Sequence, residues 1–195
     1  MKIGIDIDDV LAAFNSGFVK YYNENFGTKY SYSDIKDYDY SKTYKDVAPE
    51  VIFDRVFQFV NSPDFDNVDP IIGSQDGISS LKGNQLFVIT SRSTDIKELT
   101  LNWLEKNFPT FEDVIFTNSF TQNPTLKAEK KSAAGRRLGI KYMVEDAPHH
   151  AEDLANNDIK VVLLDAPWNR SVKEHNLITR ANSWEDVIKL INGEE

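Results

Sequence analysis

The chain has 195 residues, of which 41% are hydrophobic and 27% charged, with a formal net charge of −9 and no cysteine. This balance is that of a globular domain with a sizeable core, and the lack of cysteine excludes disulfides, zinc–thiolate sites and thiol nucleophiles. The negative charge argues against long nucleic acid as a partner, because neutralising a phosphate backbone needs a basic face. No apolar run approaches the length of a membrane span, and Asp6 and Asp8 interrupt the N-terminal apolar stretch. We therefore expect a cytoplasmic protein without a membrane partner.

The first third of the chain predicts one strand followed by helices. The run KIGIDI is short and rich in β-branched residues, which is typical of a buried strand. The segment NSGFVKYYNENFG predicts a helix, because aromatic residues recur every three or four positions before a glycine. A second helix is predicted over 46–61, and residues 28–44 between the two helices have no clear period. The connection NSPDFDNVDPIIG is rich in turn residues.

The rest of the chain alternates strands with helices. Strands are predicted at NQLFVITS, DVIFTN, IKYMVED and IKVVLLD, and helices at TDIKELTLNWLEKNF, KSAAGRRLG, PHHAEDLANN and SWEDVIKLING. Ser183 and Asp186 are placed as a capping box for the last helix. Such alternation, with strands that are apolar throughout, predicts an α/β fold: a Rossmann-like, three-layer α/β/α arrangement around a parallel sheet. We predict a core of residues 1–14 and 76–195, with a small helical cap of residues 15–75 inserted after the first strand.

Polar side chains follow three of the predicted strands at the point where each strand ends. They are Asp6, Asp8, Thr90, Ser91, Glu145 and Asp146. Ligands of an open parallel sheet bind beyond the carboxyl ends of its strands, so these residues are predicted to converge on one site. Carboxylates that share a pocket repel one another, and an all-oxygen set of donors favours Mg²⁺ as the balancing cation. One carboxylate would remain free as a nucleophile, and a hydroxyl and a lysine would hold a phosphate.

The order of these motifs resembles that of the haloacid dehalogenase-like phosphatase superfamily. The first motif of the superfamily, D-x-D, matches Asp6-Ile7-Asp8, and the second, an apolar strand that ends in Thr or Ser, matches FVITS. The third motif is a lysine before a helix. The fourth, an acidic pair after an apolar strand, matches MVED. Within the superfamily, the segments DIDDVLAAF, EDAPHHAEDLA and DAPWNR and the position of the insertion resemble the 5′(3′)-deoxyribonucleotidase branch and its bacterial nucleotidase relatives.

The resemblance implies roles for the acidic residues. Asp6 would be the nucleophile that forms an aspartyl-phosphate, and Asp8 the general acid and then the general base. The implied metal set is Asp6, Asp8, Glu145 and Asp146. In that set Asp8 contributes its backbone carbonyl, Asp146 is a direct ligand and Glu145 supports it. Asp9, in contrast, is expected to cap the following helix.

The resemblance also implies a phosphate-binding set. Ser91 is slightly preferred over Thr90, and Arg92 is a further candidate, although a solvated loop arginine explains it equally well. Lys131 and Lys130 are the candidates for the phosphate-binding lysine, in that order, with Lys127 as a third. Lys131 is preferred because it lies eight residues before Gly139, as in relatives of this kind.

The function implied by the resemblance is Mg²⁺-dependent hydrolysis of a small phosphomonoester, with a nucleoside monophosphate as substrate. Aromatic residues of the predicted cap are candidates for stacking on a base, although most are expected to pack in the core. The candidates are Tyr21, Tyr22, Tyr30, Tyr32, Phe53 and Phe57. Alternatives are a 3′-phosphatase of nucleic-acid ends, a phosphomutase or sugar phosphatase, and a non-catalytic nucleotide-binding protein on the same fold. Dimers are common among such proteins, so a homodimer is an open alternative.

Overall fold

The computed structural model describes residues 1–108 and 111–193. Four residues of the predicted core lie outside the described residues: Pro109, Thr110, Glu194 and Glu195. Within the described ranges the strands are β1 (Lys2–Ile5), β2 (Gln85–Arg92), β3 (Asp113–Phe120), β4 (Tyr142–Glu145), β5 (Lys160–Leu164) and β6 (Ile178–Ala181). They form one sheet in the order β3-β2-β1-β4-β5-β6, and every neighbouring pair is parallel.

The helices of the same ranges are α1 (Phe14–Phe26), α2 (Pro49–Val60), α3 (Pro63–Asp66), α4 (Ser74–Ser80), α5 (Lys97–Asn107), α6 (Lys131–Leu138), α7 (Pro148–Ala155) and α8 (Trp184–Asn192). Local sequence explains several ends. Gly27 ends α1 in the left-handed conformation, with φ of 66°, and Pro49 begins α2 in the first turn, where its missing N–H costs nothing. The helix predicted over 46–61 therefore starts three residues later. None of the described helices is long and apolar enough to cross a membrane.

The sheet separates two layers of helices. On β5, Val162 and Leu164 join an apolar cluster that includes Trp184 of α8. The alternate residues Val161 and Leu163 join a second cluster, which includes Ala134 of α6 and Ala151 and Leu154 of α7. Since successive strand residues face opposite sides, this pattern buries both faces of β5. The predicted three-layer α/β/α fold with a parallel sheet is confirmed.

Three elements of the described residues, α3, α4 and β6, are not predicted by the sequence pattern, and α3 lies in the stretch predicted as a turn-rich connection. The segment SQDGISS is mostly polar and contains Gly77, so its periodicity is weak. Gly77 nevertheless suits the helix, because a Cβ at this position would lie 2.3 Å from the Trp184 ring. The strand β6 has only four residues and pairs with β5 alone at the edge of the sheet. At the start of α8, Ser183 accepts the Asp186 N–H as predicted, but Asp186 accepts from Asn182 rather than completing the capping box.

The helical segment after β1 leaves and rejoins the sheet through two adjacent stretches of chain. The N–H of Ala13 donates to the carbonyl of Asp69 at 2.8 Å, and the N–H of Ile71 donates to the carbonyl of Leu11 at 2.7 Å. The apolar cluster that contains Ile5 of β1 continues into α1 and α2. The segment thus shares a core with the sheet, and its division into a cap of residues 15–75 and a core of residues 1–14 and 76–195 stays a prediction.

Candidate active site

The loop after β1 carries three aspartates and is fixed by backbone hydrogen bonds. The N–H of Asp6 donates to the carbonyl of Val144 on β4 at 3.0 Å, which anchors the loop at the middle of the sheet. Asp9 has φ of 55°, and its carboxylate accepts the backbone N–H of Asn15 at 3.1 Å and the side-chain amide at 2.7 Å. Asn15 lies in the first turn of α1, so Asp9 caps this helix as predicted.

Lys131, the first residue of α6, lies between two carboxylates of the site. Its ammonium is 2.8 Å from Oδ1 of Asp6 and 2.8 Å from Oε2 of Glu145, and only 1% of its side chain is exposed. The other oxygen of Glu145 accepts the N–H groups of Asp146 and Ala147. Both oxygens of Glu145 are therefore engaged, and Glu145 anchors the lysine beside Asp6.

The structure separates the two leading lysine candidates. The side chain of Lys130 is 75% exposed and pairs with Asp153 at 2.8 Å, on the outside of the protein. Consecutive residues at the start of a helix point in different directions, so only one of the two can reach the acidic cluster. The structure brings Lys131, the first choice, to Asp6 and places Lys130, the second choice, on Asp153 outside the acidic cluster; the phosphate-binding role of Lys131 stays a prediction. Lys127 is also exposed.

The acidic cluster has the composition and charge of a divalent-cation site. Oxygens of Asp6, Glu145 and Asp146 lie within 4.8 Å of one another, and all three residues are buried. Lys131 supplies one positive charge against three carboxylates. Burial together with neighbouring carboxylates raises the pKa of Asp6 to about 7 and that of Asp146 well above its usual range. Burial also acts to raise the pKa of Glu145, but Lys131, His150 and the N–H of Ala147 together lower it.

The single positive charge of Lys131 does not balance this cluster. Its ammonium lies 2.8 Å from Oδ1 of Asp6 and 2.8 Å from Oε2 of Glu145, so one cation is shared between two carboxylates and Asp146 adds a third. Buried carboxylates are costly unless enough positive charge approaches them. The residues therefore fit Mg²⁺, and Asp6 and Asp146 are better placed as ligands than Glu145, because the oxygens of Glu145 already have donors.

The carboxylate of Asp8 lines the same cleft but is not one of the three clustered carboxylates, and it pairs with Arg92 at the end of β2. The Arg92 guanidinium donates to both oxygens of the Asp8 carboxylate, from Nε at 3.1 Å and from NH2 at 2.6 Å. Its NH1 donates to the Thr100 hydroxyl at 3.2 Å. The resemblance suggested that Arg92 contacts a phosphate. In the structure, Nε and NH2 of its guanidinium instead donate to Asp8. The Asp8 carboxylate is likewise outside the cluster, which leaves its backbone carbonyl for the metal role expected of it.

The two hydroxyl residues at the end of β2 have different surroundings. Thr90 is fully buried, and its Oγ1 accepts the N–H of Arg92 at 3.2 Å. Ser91 lines the cleft, and its Oγ lies 2.8 Å from Nε2 of His150. Burial and the charge of Lys131 lower the pKa of His150 to about 3, so its imidazole is neutral at physiological pH. The sequence does not predict this contact, because His150 lies in the first turn of α7, 59 residues from Ser91.

A cleft of about 860 Å³ connects the acidic edge of the sheet with the predicted cap. Phe53 and Phe57 of α2 line it together with Phe120 of β3. The rings of Phe57 and Phe120 stack at 5.1 Å with an interplanar angle of 7°, and Phe53 is 54% exposed. These rings form an apolar wall beside the acidic cluster, which we call the phenylalanine wall.

The other aromatic candidates of the predicted cap serve packing. Tyr22 is fully buried and contacts Tyr44 at 4.5 Å between ring centroids. Tyr30 packs on the same Tyr44 ring, and Tyr32 packs against Trp168. The sequence does not identify Phe120 as a cleft residue, because nothing in DVIFTNSF distinguishes it from any other residue at a strand end.

The loop after β5 holds one of the acidic residues in place. The indole N–H of Trp168 donates to Oδ2 of Asp146 at 2.8 Å, and Trp168 is buried. The side-chain amide of Asn169 donates to the backbone carbonyls of Asp146 and Leu164, each at 2.8 Å. The segment PWNR thus fixes the orientation of Asp146, so that its other oxygen is free for a cation.

Replacing Trp168 with phenylalanine is expected to weaken Mg²⁺ binding about 10- to 100-fold, because the donor that orients Asp146 is removed. The affinity is measured from the rise in melting temperature with Mg²⁺ concentration. Trp103→Phe is the matched control, since its indole N–H also donates to a buried oxygen, the carbonyl of Val68, at 2.8 Å. Equal Mg²⁺ affinity in both variants would show that Trp168 does not orient a metal ligand.

The parallel sheet, with the polar motifs at its carboxyl edge, has the haloacid dehalogenase-like fold. More narrowly, the chain belongs to the family described as 5′ nucleotidase, deoxy (pyrimidine), cytosolic type C, whose profile matches residues 1–194. The protein is therefore a hydrolase of the nucleotidase branch, and the resemblance stated from its motifs is confirmed.

Known proteins along the whole chain support this assignment. The 5′(3′)-deoxyribonucleotidase of Clostridium acetobutylicum is 25% identical over 188 residues, which cover 93% of this chain and 89% of the relative. A crystal structure described as a predicted phosphatase from Clostridium acetobutylicum has a TM-score of 0.68 at 19% identity and covers 98% of both chains. A haloacid dehalogenase-like family hydrolase from Streptococcus pneumoniae has a TM-score of 0.69 at 12% identity and covers 97% of both. The two structures establish the fold.

Proposed function

We propose that this protein is a Mg²⁺-dependent 5′(3′)-deoxyribonucleotidase that hydrolyses nucleoside monophosphates through a phosphorylated Asp6. The observation that carries the proposal is the buried Lys131 ammonium between Glu145 and Asp6, because Asp6 in turn lines a cleft with an aromatic wall. A buried cation beside a buried carboxylate is an arrangement that binds a phosphate next to a nucleophile. The name of the Clostridium acetobutylicum relative supports the choice of substrate.

The proposed reaction has two steps, formation and hydrolysis of an aspartyl-phosphate. An oxygen of Asp6 attacks phosphorus, a new O–P bond forms, and the ester O–P bond breaks with its electron pair going to the leaving oxygen. Asp8 gives that oxygen a proton. Water then attacks the phosphorus of the aspartyl-phosphate, Asp8 accepts the water proton, and Asp6 is released with inorganic phosphate. Lys131 and the hydroxyl of Ser91 or Thr90 hold the phosphate oxygens through both steps.

The acidic cluster and Mg²⁺ have complementary roles in this proposal. Asp6, Asp146 and the backbone carbonyl of Asp8 would hold the ion, with Glu145 in support. When bound, Mg²⁺ supplies positive charge that offsets the carboxylates and the arriving phosphate. Lys131 alone is insufficient for this, because three carboxylates and a phosphate dianion share the space around it.

The phenylalanine wall would receive the nucleobase. Phe57 and Phe120 present aromatic faces beside the acidic cluster, and stacking of a base on an aromatic ring contributes about 1–3 kcal/mol. The family description as a cytosolic protein supports a cytoplasmic location. Homodimer formation stays a prediction.

The experiment that tests the proposal is phosphate release from a panel of esters with Mg²⁺ and with chelator. We expect release from deoxynucleoside 5′- or 3′-monophosphates, loss of this activity with EDTA and its return on addition of Mg²⁺. The panel includes ribonucleotides, sugar phosphates and 3′-phosphorylated oligonucleotides. Preferred release from sugar phosphates or oligonucleotides would contradict the substrate, and activity that is unaffected by EDTA would contradict the metal.

A further inference from the structure

We propose that Arg92 is a positioning residue, which holds the Asp8 carboxylate in the orientation needed to protonate the leaving group. The proposal rests on the proposed role of Asp8 as general acid, and it assigns to Arg92 a function other than phosphate binding. Three observations carry it: the geometry of the pair, the support of the guanidinium and the lack of other partners for Asp8.

The pair has the geometry of a two-point clamp. Nε and NH2 of Arg92 donate to different oxygens of Asp8, at 3.1 Å and 2.6 Å. Two parallel hydrogen bonds fix the plane of a carboxylate as well as its position, which a single ion pair does not. Among the described residues, no other side chain donates to the Asp8 carboxylate. The Asp8 side chain is 30% exposed, so packing alone does not fix its rotamer. The two hydrogen bonds from Arg92 therefore set the rotamer of Asp8.

The guanidinium is itself held from two further elements. NH1 donates to the Thr100 hydroxyl of α5 at 3.2 Å, and the guanidinium carbon lies 4.7 Å from the centre of the Phe65 ring of α3. Arg92 is only 6% exposed. Because Arg92 is held by its own strand, by Thr100 and by the Phe65 ring, it can fix the orientation of the more exposed Asp8. Asp8 has no comparable support with which to orient Arg92.

The clamp leaves each oxygen of the Asp8 carboxylate with a lone pair for proton transfer. Each carboxylate oxygen has two lone pairs, and Arg92 uses one on each. The remaining lone pairs can carry the proton that passes to the leaving oxygen and later accept one from water. Because proton transfer requires hydrogen-bond reach, and a misplacement of about 1 Å costs about 10²-fold in rate, loss of the clamp should slow only the steps that need this proton.

The test compares two substrates whose leaving groups differ in their need for a proton. The nucleoside of a deoxynucleoside monophosphate would leave as an alkoxide, which needs a proton. The leaving group of 4-nitrophenyl phosphate is the stable 4-nitrophenolate, which does not. We expect Arg92→Gln to lower kcat/KM, which reports formation of the aspartyl-phosphate, about 10²-fold for the nucleotide and only slightly for the aryl ester. The value of kcat should fall with both substrates, because hydrolysis of the aspartyl-phosphate needs Asp8 in either case. Asp8→Asn should show the same selectivity. An equal loss of kcat/KM with both substrates would show that Arg92 binds phosphate or serves the fold alone.

Further variants keep the test decisive. Arg92→Lys retains a positive charge but not the fork, so it should fold and show the same selectivity in weaker form. Arg137→Gln, which breaks an exposed pair with Glu129, should leave both rates unchanged. The double variant Asp8→Asn/Arg92→Gln should be no slower than Asp8→Asn, and additive losses would overturn the proposal. Lack of selectivity in Asp8→Asn itself would instead refute the proposed general acid, and with it the basis for the clamp.

Discussion

Replacing Lys131 with methionine is expected to abolish hydrolysis and to lower the free energy of unfolding of the metal-free protein by about 3–5 kcal/mol. The side chain of Lys131 is buried, and its ammonium contacts both Asp6 and Glu145. Methionine fills a similar volume but leaves two buried carboxylates without their cation. It also removes the group that we propose holds the phosphate beside the nucleophile. Denaturant unfolding and steady-state kinetics measure the two effects.

Lys130→Met is a closely matched control for this variant. The two lysines are neighbours in sequence, but the ammonium of Lys130 pairs with Asp153 at the surface. Exposed pairs contribute about 0–1 kcal/mol, so this variant should unfold near the wild-type denaturant concentration and keep its activity. If Lys130→Met were the inactive variant of the two, the phosphate-binding lysine would have to be reassigned.

Replacing Asp6 with asparagine is expected to reduce kcat by at least about 10³-fold, because an amide cannot form the phosphorylated intermediate. The same change should raise the melting temperature of the metal-free protein at pH 8. Burial and nearby carboxylates raise the pKa of Asp6 to about 7, above its usual value of 3.8. With a raised folded-state pKa, the stabilising contribution of protonated Asp6 is complete below pH 3.8 and is lost as the pH rises through 7.

The stability difference between Asp6→Asn and the wild type should therefore depend on pH. Asparagine is neutral at every pH, so its advantage should be largest at pH 8 and should shrink at pH 5. Thermal unfolding in EDTA at the two pH values measures this. Added Mg²⁺ should reverse the order at pH 8 by stabilising the wild type alone. A variant that is less stable than the wild type at pH 8 in EDTA would show that the ion pair with Lys131 outweighs burial. Retention of most activity would rule out Asp6 as the nucleophile.

The sequence predicted the sheet and the meeting of its polar ends, because both depend on features that repeat locally. Apolar strands alternate with helices along the chain. Parallel strands bring Asp6, Ser91 and Asp146 to the carboxyl edge of the sheet, independently of the conformation of the loops. The same reasoning placed Asp9 at a helix start. These inferences need only the period of each segment and the direction of the sheet.

Contacts between side chains from distant segments could not be predicted in this way. Arg92 and Asp8 are 84 residues apart, and the pairing depends on how Phe65 and Thr100 support the guanidinium. Trp168 could not be distinguished from any other packing residue until the loop after β5 placed its N–H on Asp146. Phe120 stacks on Phe57 only because the predicted cap folds over β3. Such pairs depend on tertiary packing, and the hydrophobic periodicity of a single segment does not predict them.

The paired backbone at Ala13 and Asp69 bears on how such enzymes can diversify. The chain leaves the sheet and returns to it through residues that are hydrogen-bonded neighbours, roughly 5 Å apart as in an antiparallel pair. Recombination between relatives could therefore exchange the whole helical segment at two junctions that meet in space, while the hydrolytic residues stay in place. An incoming segment must also fit Phe120, which belongs to the sheet. Selection for new substrates should thus act on β3 and the inserted helices together, so that the two coevolve although they are far apart in sequence.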